Sequence, residues 1–269
     1  MGPPTLAFSR ISRLTVHWST AGRTDGPAIV CGNALGTDHR IWGRVSKLLG
    51  DRYRLITYDS RGHGLTDAPD GPYTIAGLAD DLLALTGSIG LNRFALVGLS
   101  VGGLIAQQVA VRAPERLAAL VLCDTAARIW SAEAWNARID AVRKAGLASI
   151  ADPIMERWFA KSFRDTRADE LAGWRNLMTR TPANGYIATC EAIRDADLTA
   201  AVGSIRTPTL VVVGEEDGST PPALVKATAD LIPGARFEII QGAAHMPCIE
   251  QPEMLAGLIA AHLKEAGHV

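Results

Sequence analysis

Short β-branched runs separated by helical stretches constrain the fold of this chain more than any other feature. Residues 14–19, 28–31, 53–58, 94–98 and 117–123 read as strands, and 38–49, 74–89 and 102–113 as the helices between them. In 74–89, Ile75, Leu78, Leu82 and Leu85 recur at helical spacing. From about 130 to 199 the pattern is helical and rich in tryptophan (Trp130, Trp135, Trp158, Trp174), with no strong strand. Alternation then resumes: strand 208–214, helix 221–231, strand 236–240, helix 252–263. This order predicts an α/β fold with a mostly parallel central sheet flanked by helices. The core is expected to comprise 1–129 and 200–269, with a helical cap at 130–199 lying over one end of the sheet as a lid. With 269 residues, 48% of them hydrophobic, one large α/β domain has enough apolar material for its core.

Basic and acidic residues are interspersed and the formal net charge is −1, so no electrostatic footprint for nucleic acid is present. No run approaches the ~18 apolar residues of a membrane span. Residues 1–14 lack the apolar stretch of a signal peptide. Gly2 does not open a myristoylation motif, because Leu6 stands where Ser or Thr is required. Cys31, Cys123, Cys190 and Cys248 form neither a C-x-x-C pair nor a metal-ligand spacing, and read as reduced, mostly buried thiols of a cytoplasmic protein.

The strongest chemical signal is Gly98-Leu99-Ser100-Val101-Gly102, between a strand and a helix. That is the context of a nucleophile elbow, in which a serine sits on a sharp, strained turn at a helix N-terminus. A serine hydroxyl needs a base, and the base needs an orienting acid. Of the histidines after the elbow, His262 lies late in the last helix and His268 in the tail. His245 sits in a small-residue loop directly after a strand and is the candidate base. The acid should follow a strand between the two. Glu215, Glu216 and Asp217 all stand at such a strand end; Asp217 is preferred because it lies deepest in the loop, and Asp124 is an alternate. An oxyanion hole needs two backbone N–H groups. Val101 should supply one, and Leu35, or alternatively Ala34, the other. His63, between two glycines, reads as part of a structural turn.

With these pieces in place, the chain resembles the α/β-hydrolase superfamily and, within it, the 3-oxoadipate enol-lactone hydrolases. The resemblance runs through Gly36-Thr37-Asp38 to Trp42, 58–64, 71–75, the elbow with Gly103, 125–129, Arg157-Trp158-Phe159 and 190–193 with Asp197-Leu198, so it spans nearly the whole chain. The elbow and Gly62-His63-Gly64 are shared by many hydrolases, whereas the cap segments and 125–129 are more particular to the lactonases. Cys31 stands where many relatives have histidine before the oxyanion loop, and Met246-Pro247-Cys248 after the base is a further departure.

The resemblance implies a small-molecule lactone substrate carrying its own carboxylate, and no metal or organic cofactor. Arg128 is the expected cation for that carboxylate, with Trp158 lining the pocket. A general carboxylesterase or perhydrolase-type enzyme with the same triad, and a ligand receptor that retains the triad, are the competing readings. A dehalogenase is disfavoured, because it would need a carboxylate where Ser100 stands.

Overall fold

The computed structural model describes residues 5–269, so Gly2 lies outside the described residues. The apolar runs form eight strands: β1 Thr5–Ile11, β2 Leu14–Gly22, β3 Ala28–Gly32, β4 Arg54–Tyr58, β5 Phe94–Leu99, β6 Leu117–Cys123, β7 Thr209–Gly214 and β8 Arg236–Ile240. They make one sheet in the order β1-β2-β4-β3-β5-β6-β7-β8. The β1–β2 and β2–β4 pairs are antiparallel and the other five are parallel. Strands β3, β5, β6 and β7 are buried along their whole length. That is why they read as continuous apolar runs rather than alternating ones: a parallel sheet is covered on both faces.

The covering helices are α1 Gly43–Leu49, α2 Ile75–Ser88 and α3 Val101–Arg112, followed after β6 by α4 Ala132–Ala145, α5 Ala151–Trp158, α6 Lys161–Thr166, α7 Ala168–Thr179 and α8 Ala183–Arg194. The alternation then resumes with α9 Pro222–Leu231, α10 Pro247–Glu250 and α11 Pro252–Glu265. Thr74 caps α2, its hydroxyl accepting the Gly77 N–H at 3.0 Å. No helix of the described residues is long and apolar enough to cross a membrane. All four cysteines are free and buried.

Two elements were not legible. Strand β1 presents mostly exposed or half-buried side chains, with Leu6 and Phe8 facing solvent. Its large apolar side chains are mostly exposed, and it is held by its ladder to β2, from Thr5 opposite Thr20 to Ile11 opposite Leu14. Helix α10 is a single turn opened by Pro247, too short for any periodicity.

Between β6 and β7 the described residues contain helices and no strand. This block packs on loops that follow parallel strands. Gly62, after β4, touches the Gly185 backbone, and Gly36, after β3, lies against Tyr186 and Trp158. The Ala160 N–H donates to Glu250, after β8, at 2.7 Å. The helices therefore stand over the carboxyl ends of the strands, where open α/β sheets place their ligands.

Candidate active site

The turn between β5 and α3 holds Ser100 at φ +56°, ψ −115°. A non-glycine residue in this region stores about 1–3 kcal/mol of strain. Four bonds fix it: the Ser100 N–H donates to the Cys123 carbonyl at 3.0 Å, and the Ser100 carbonyl accepts the Gly103 N–H at 2.9 Å, the Leu104 N–H at 3.2 Å and the Thr125 hydroxyl at 2.7 Å. The glycines answer to space. A Cβ on Gly98 would run into the Gly102 carbonyl, and one on Gly103 into the Thr125 side chain. Gly98→Ala should therefore lower the unfolding free energy by about 2–3 kcal/mol, as overpacking does. Urea titration measures this, and an unchanged midpoint would show that the turn has room to spare.

His245 and Asp217 come from loops after β8 and β7, both side chains nearly fully buried. Asp217 Oδ2 lies 2.9 Å from His245 Nδ1. The carboxylate also accepts the Ser219 N–H at 2.7 Å, the Thr220 N–H at 3.0 Å and the Thr220 hydroxyl at 2.6 Å. Burial alone would raise the Asp217 carboxyl. The charge and hydrogen bond of His245 and the two bonds from Thr220 outweigh it and hold the group below the usual carboxylate range. Glu215 and Glu216 are exposed side chains that take no part in this contact. Glu250 accepts the Ala160 N–H and, at 2.8 Å, the Ala244 N–H, tying the histidine loop to the helical block.

The loop after β3 is built by Asn33 and His63. Asn33 Nδ2 donates to the carbonyls of Ala34 and Thr37, and its Oδ1 accepts the Ser60 N–H and hydroxyl. The Gly36 N–H donates to His63 Nε2 at 2.9 Å, and the Thr37 N–H to the Ala34 carbonyl at 3.1 Å. These bonds occupy the N–H groups of Gly36 and Thr37 and leave those of Ala34 and Leu35 unused. His63 thus shapes the loop rather than contacting the cavity, and burial lowers its pKa so that Nε2 is free to accept. Val101 opens α3, where a helix leaves its first N–H groups without internal partners.

One cavity is lined by Ser100, His245, Ala34, Leu35, Trp158 and Arg138, with Trp130 and Trp135, whose rings stack on each other. Its empty space, opening included, is about 400 Å³. The Arg138 guanidinium carbon lies 4.5 Å from the Trp130 ring centre and 5.0 Å from that of Trp135. The two indole N–H groups donate to the carbonyls of Ser219 and Ile129, both at 2.7 Å, which fixes the rings. No ion pair among the described residues uses Arg138.

Arg128 does not fill the role expected of it. Its side chain is 59% exposed and faces Asp197 at 3.6 Å, outside the cavity. Past β6 it is Ile129 and Trp130 that turn inward, and position after a strand end does not fix which side chain does so. The cavity cation is Arg138, and a signal for it existed: Trp135 and Arg138 stand three apart on a helix and share one face. Sequence reasoning also missed Thr125, Thr220 and Asn33, whose contributions are hydrogen bonds to backbone or carboxylate and leave no motif.

Residues 29–258 match the sequence profile of the alpha/beta hydrolase family. Over 93% of the chain it is 33% identical to 3-oxoadipate enol-lactonase 2 of Acinetobacter baylyi, covering 94% of that protein. The crystal structure of an enol-lactonase from Burkholderia xenovorans LB400 superposes with a TM-score of 0.93 at 34% identity, covering 96% of this chain and 100% of that one. A thermophilic esterase from Thermogutta terrifontis is similar over the full length of both chains, with a TM-score of 0.89 and 30% identity.

Proposed function

From a chain that belongs to the alpha/beta hydrolase family and is an enzyme of ester or lactone hydrolysis, we propose a serine hydrolase that opens 3-oxoadipate enol-lactone to 3-oxoadipate through an acyl-enzyme on Ser100. The observation that carries this reading is one cavity joining three things. They are a strained serine, a histidine held through Nδ1 by a buried carboxylate, and an arginine with no counter-ion among the described residues.

Asp217 fixes the His245 tautomer with the proton on Nδ1, so Nε2 takes the Ser100 proton as Oγ attacks the lactone carbonyl. The carbonyl oxygen gains its charge beside the unused N–H groups of Val101 and Leu35, with Ala34 as the alternative to Leu35. Collapse breaks the ring C–O bond and releases an enolate that stays tethered to the acyl-enzyme. His245 passes the proton it took from Ser100 to the enolate carbon, which gives the ketone and leaves Nε2 free to act as base again. Water activated by His245 then cleaves the Ser100 ester and releases the dicarboxylate.

The substrate's free carboxylate pairs with Arg138, and Trp158 borders the acyl chain. Arg138→Gln should raise KM for the lactone about 10- to 100-fold, the worth of a charge-assisted hydrogen bond in a partly buried pocket. It should change KM for p-nitrophenyl acetate less than threefold; equal effects on the two would remove Arg138 from carboxylate recognition. Steady-state hydrolysis of both substrates by the unmodified protein tests the whole reading. A lactone kcat/KM of about 10⁴ M⁻¹s⁻¹ or more, well above that for the acetate, is expected. Hydrolysis of the acetate alone makes the protein a general esterase, and hydrolysis of neither favours a ligand receptor.

A further inference from the structure

Asp124 follows β6 immediately and is fully buried. Its backbone is held at φ +46°, with its N–H donating to the Val212 carbonyl at 2.8 Å. Its Oδ1 accepts the Gly214 N–H at 2.8 Å. Its Oδ2 meets no donor. One oxygen of Asp124, one of Asp217 and one ring nitrogen of His245 lie within 4.8 Å of one another. Two ionised carboxylates placed so would both be acceptors with nothing to share, and their repulsion would be strong where water is excluded. A proton on Asp124 removes the repulsion and turns the orphaned oxygen into a donor with Asp217 as its acceptor.

We infer that Asp124 stands protonated and donates an O–H···O hydrogen bond to Asp217, which makes it a positioning residue for the carboxylate that orients His245. The inference rests on the triad reading above. Burial and then the Asp217 charge push the Asp124 carboxyl well above the ordinary range, while Asp217 is held below it, so the pair's one proton resides on Asp124. The other titratable groups facing Asp124 are Glu250 and Cys248 from α10 and Cys123 on its own strand. Burial raises both thiols well above their usual range and raises Glu250 to about 7.

Two measurements test this, one of them independent of activity. In protein labelled with [4-¹³C]aspartate, the carboxyl signal lost in Asp124→Asn is assigned to Asp124. It should show the shift of a protonated carboxyl throughout pH 6–8, and a carboxylate shift there overturns the inference whether or not the enzyme cleaves esters. The second is the pH dependence of kcat/KM for p-nitrophenyl acetate. Asp124→Asn replaces one neutral donor by another, so the acidic limb should stay in place and kcat remain within about fivefold. Were Asp124 ionised, the same change would delete a negative charge beside His245 and move that limb down by about one pH unit or more. Asp124→Ala, which removes the donor, should lower kcat about 10-fold with KM unchanged; full kcat in that variant also overturns the inference. Loss of acetate hydrolysis from the unmodified protein would instead count against the triad reading and leaves the NMR result to decide the proton's place.

Discussion

Ser100→Ala should lower kcat for any ester or lactone the enzyme cleaves by about 10³- to 10⁶-fold and leave KM and stability nearly unchanged. The activity loss follows from removing the atom that bonds to the acyl group, because His245 and the oxyanion amides cannot form an acyl-enzyme without it. Stability is spared because the Ser100 hydroxyl makes no capping bond to α3, and alanine bears the same backbone strain at φ +56°. The bonds that hold the turn go through the Ser100 backbone and Thr125, and both survive the substitution. Steady-state kinetics paired with thermal unfolding separates the two effects. A variant that keeps a tenth of wild-type kcat would remove Ser100 from the chemistry.

Asp217→Asn should lower kcat by about 10²- to 10⁴-fold. Asparagine can keep the bonds from the Ser219 and Thr220 N–H groups through its carbonyl oxygen, but it then turns an NH₂ group toward His245 Nδ1. That donor favours the tautomer with the proton on Nε2, which cannot accept from Ser100. The acid dependence should change as well. Asp217 is held below the ordinary 3.8, so the stability it contributes is complete above that value and lost as pH falls through its folded pKa. The asparagine variant lacks this part of the acid loss, and urea titrations between pH 3 and 6 measure it. A variant with normal kcat would transfer the acid's role elsewhere, with Asp124 the neighbour to examine first.

The parallel strands, the strained turn at Ser100 and the places of Asp217 and His245 were readable because each leaves a local mark. Buried parallel strands are continuous apolar runs, the turn at Ser100 needs glycine at fixed places, and His245 and Asp217 stand just past strands. Such marks fade where structure depends on meeting across the chain. Strand β1 is stabilised by backbone pairing that its side chains do not advertise. Arg128 and Arg138 are both arginines of the same region, and only packing decided that the second, against two indoles, lines the cavity that also holds Ser100. The partnership of Asp124 with Asp217 joins residues after two neighbouring strands, 93 positions apart in the chain, and nothing in the spacing foretells their protonation.

The proposed hydrolysis passes through a covalent acyl-enzyme on Ser100. It is tested most directly by reacting the protein with a fluorophosphonate, weighing it intact, and mapping the modified peptide. One adduct per chain is expected, on Ser100, formed with loss of esterase activity and absent from Ser100→Ala and His245→Ala. An active enzyme that takes no adduct, or takes it on another residue while hydrolysis is lost, would contradict it.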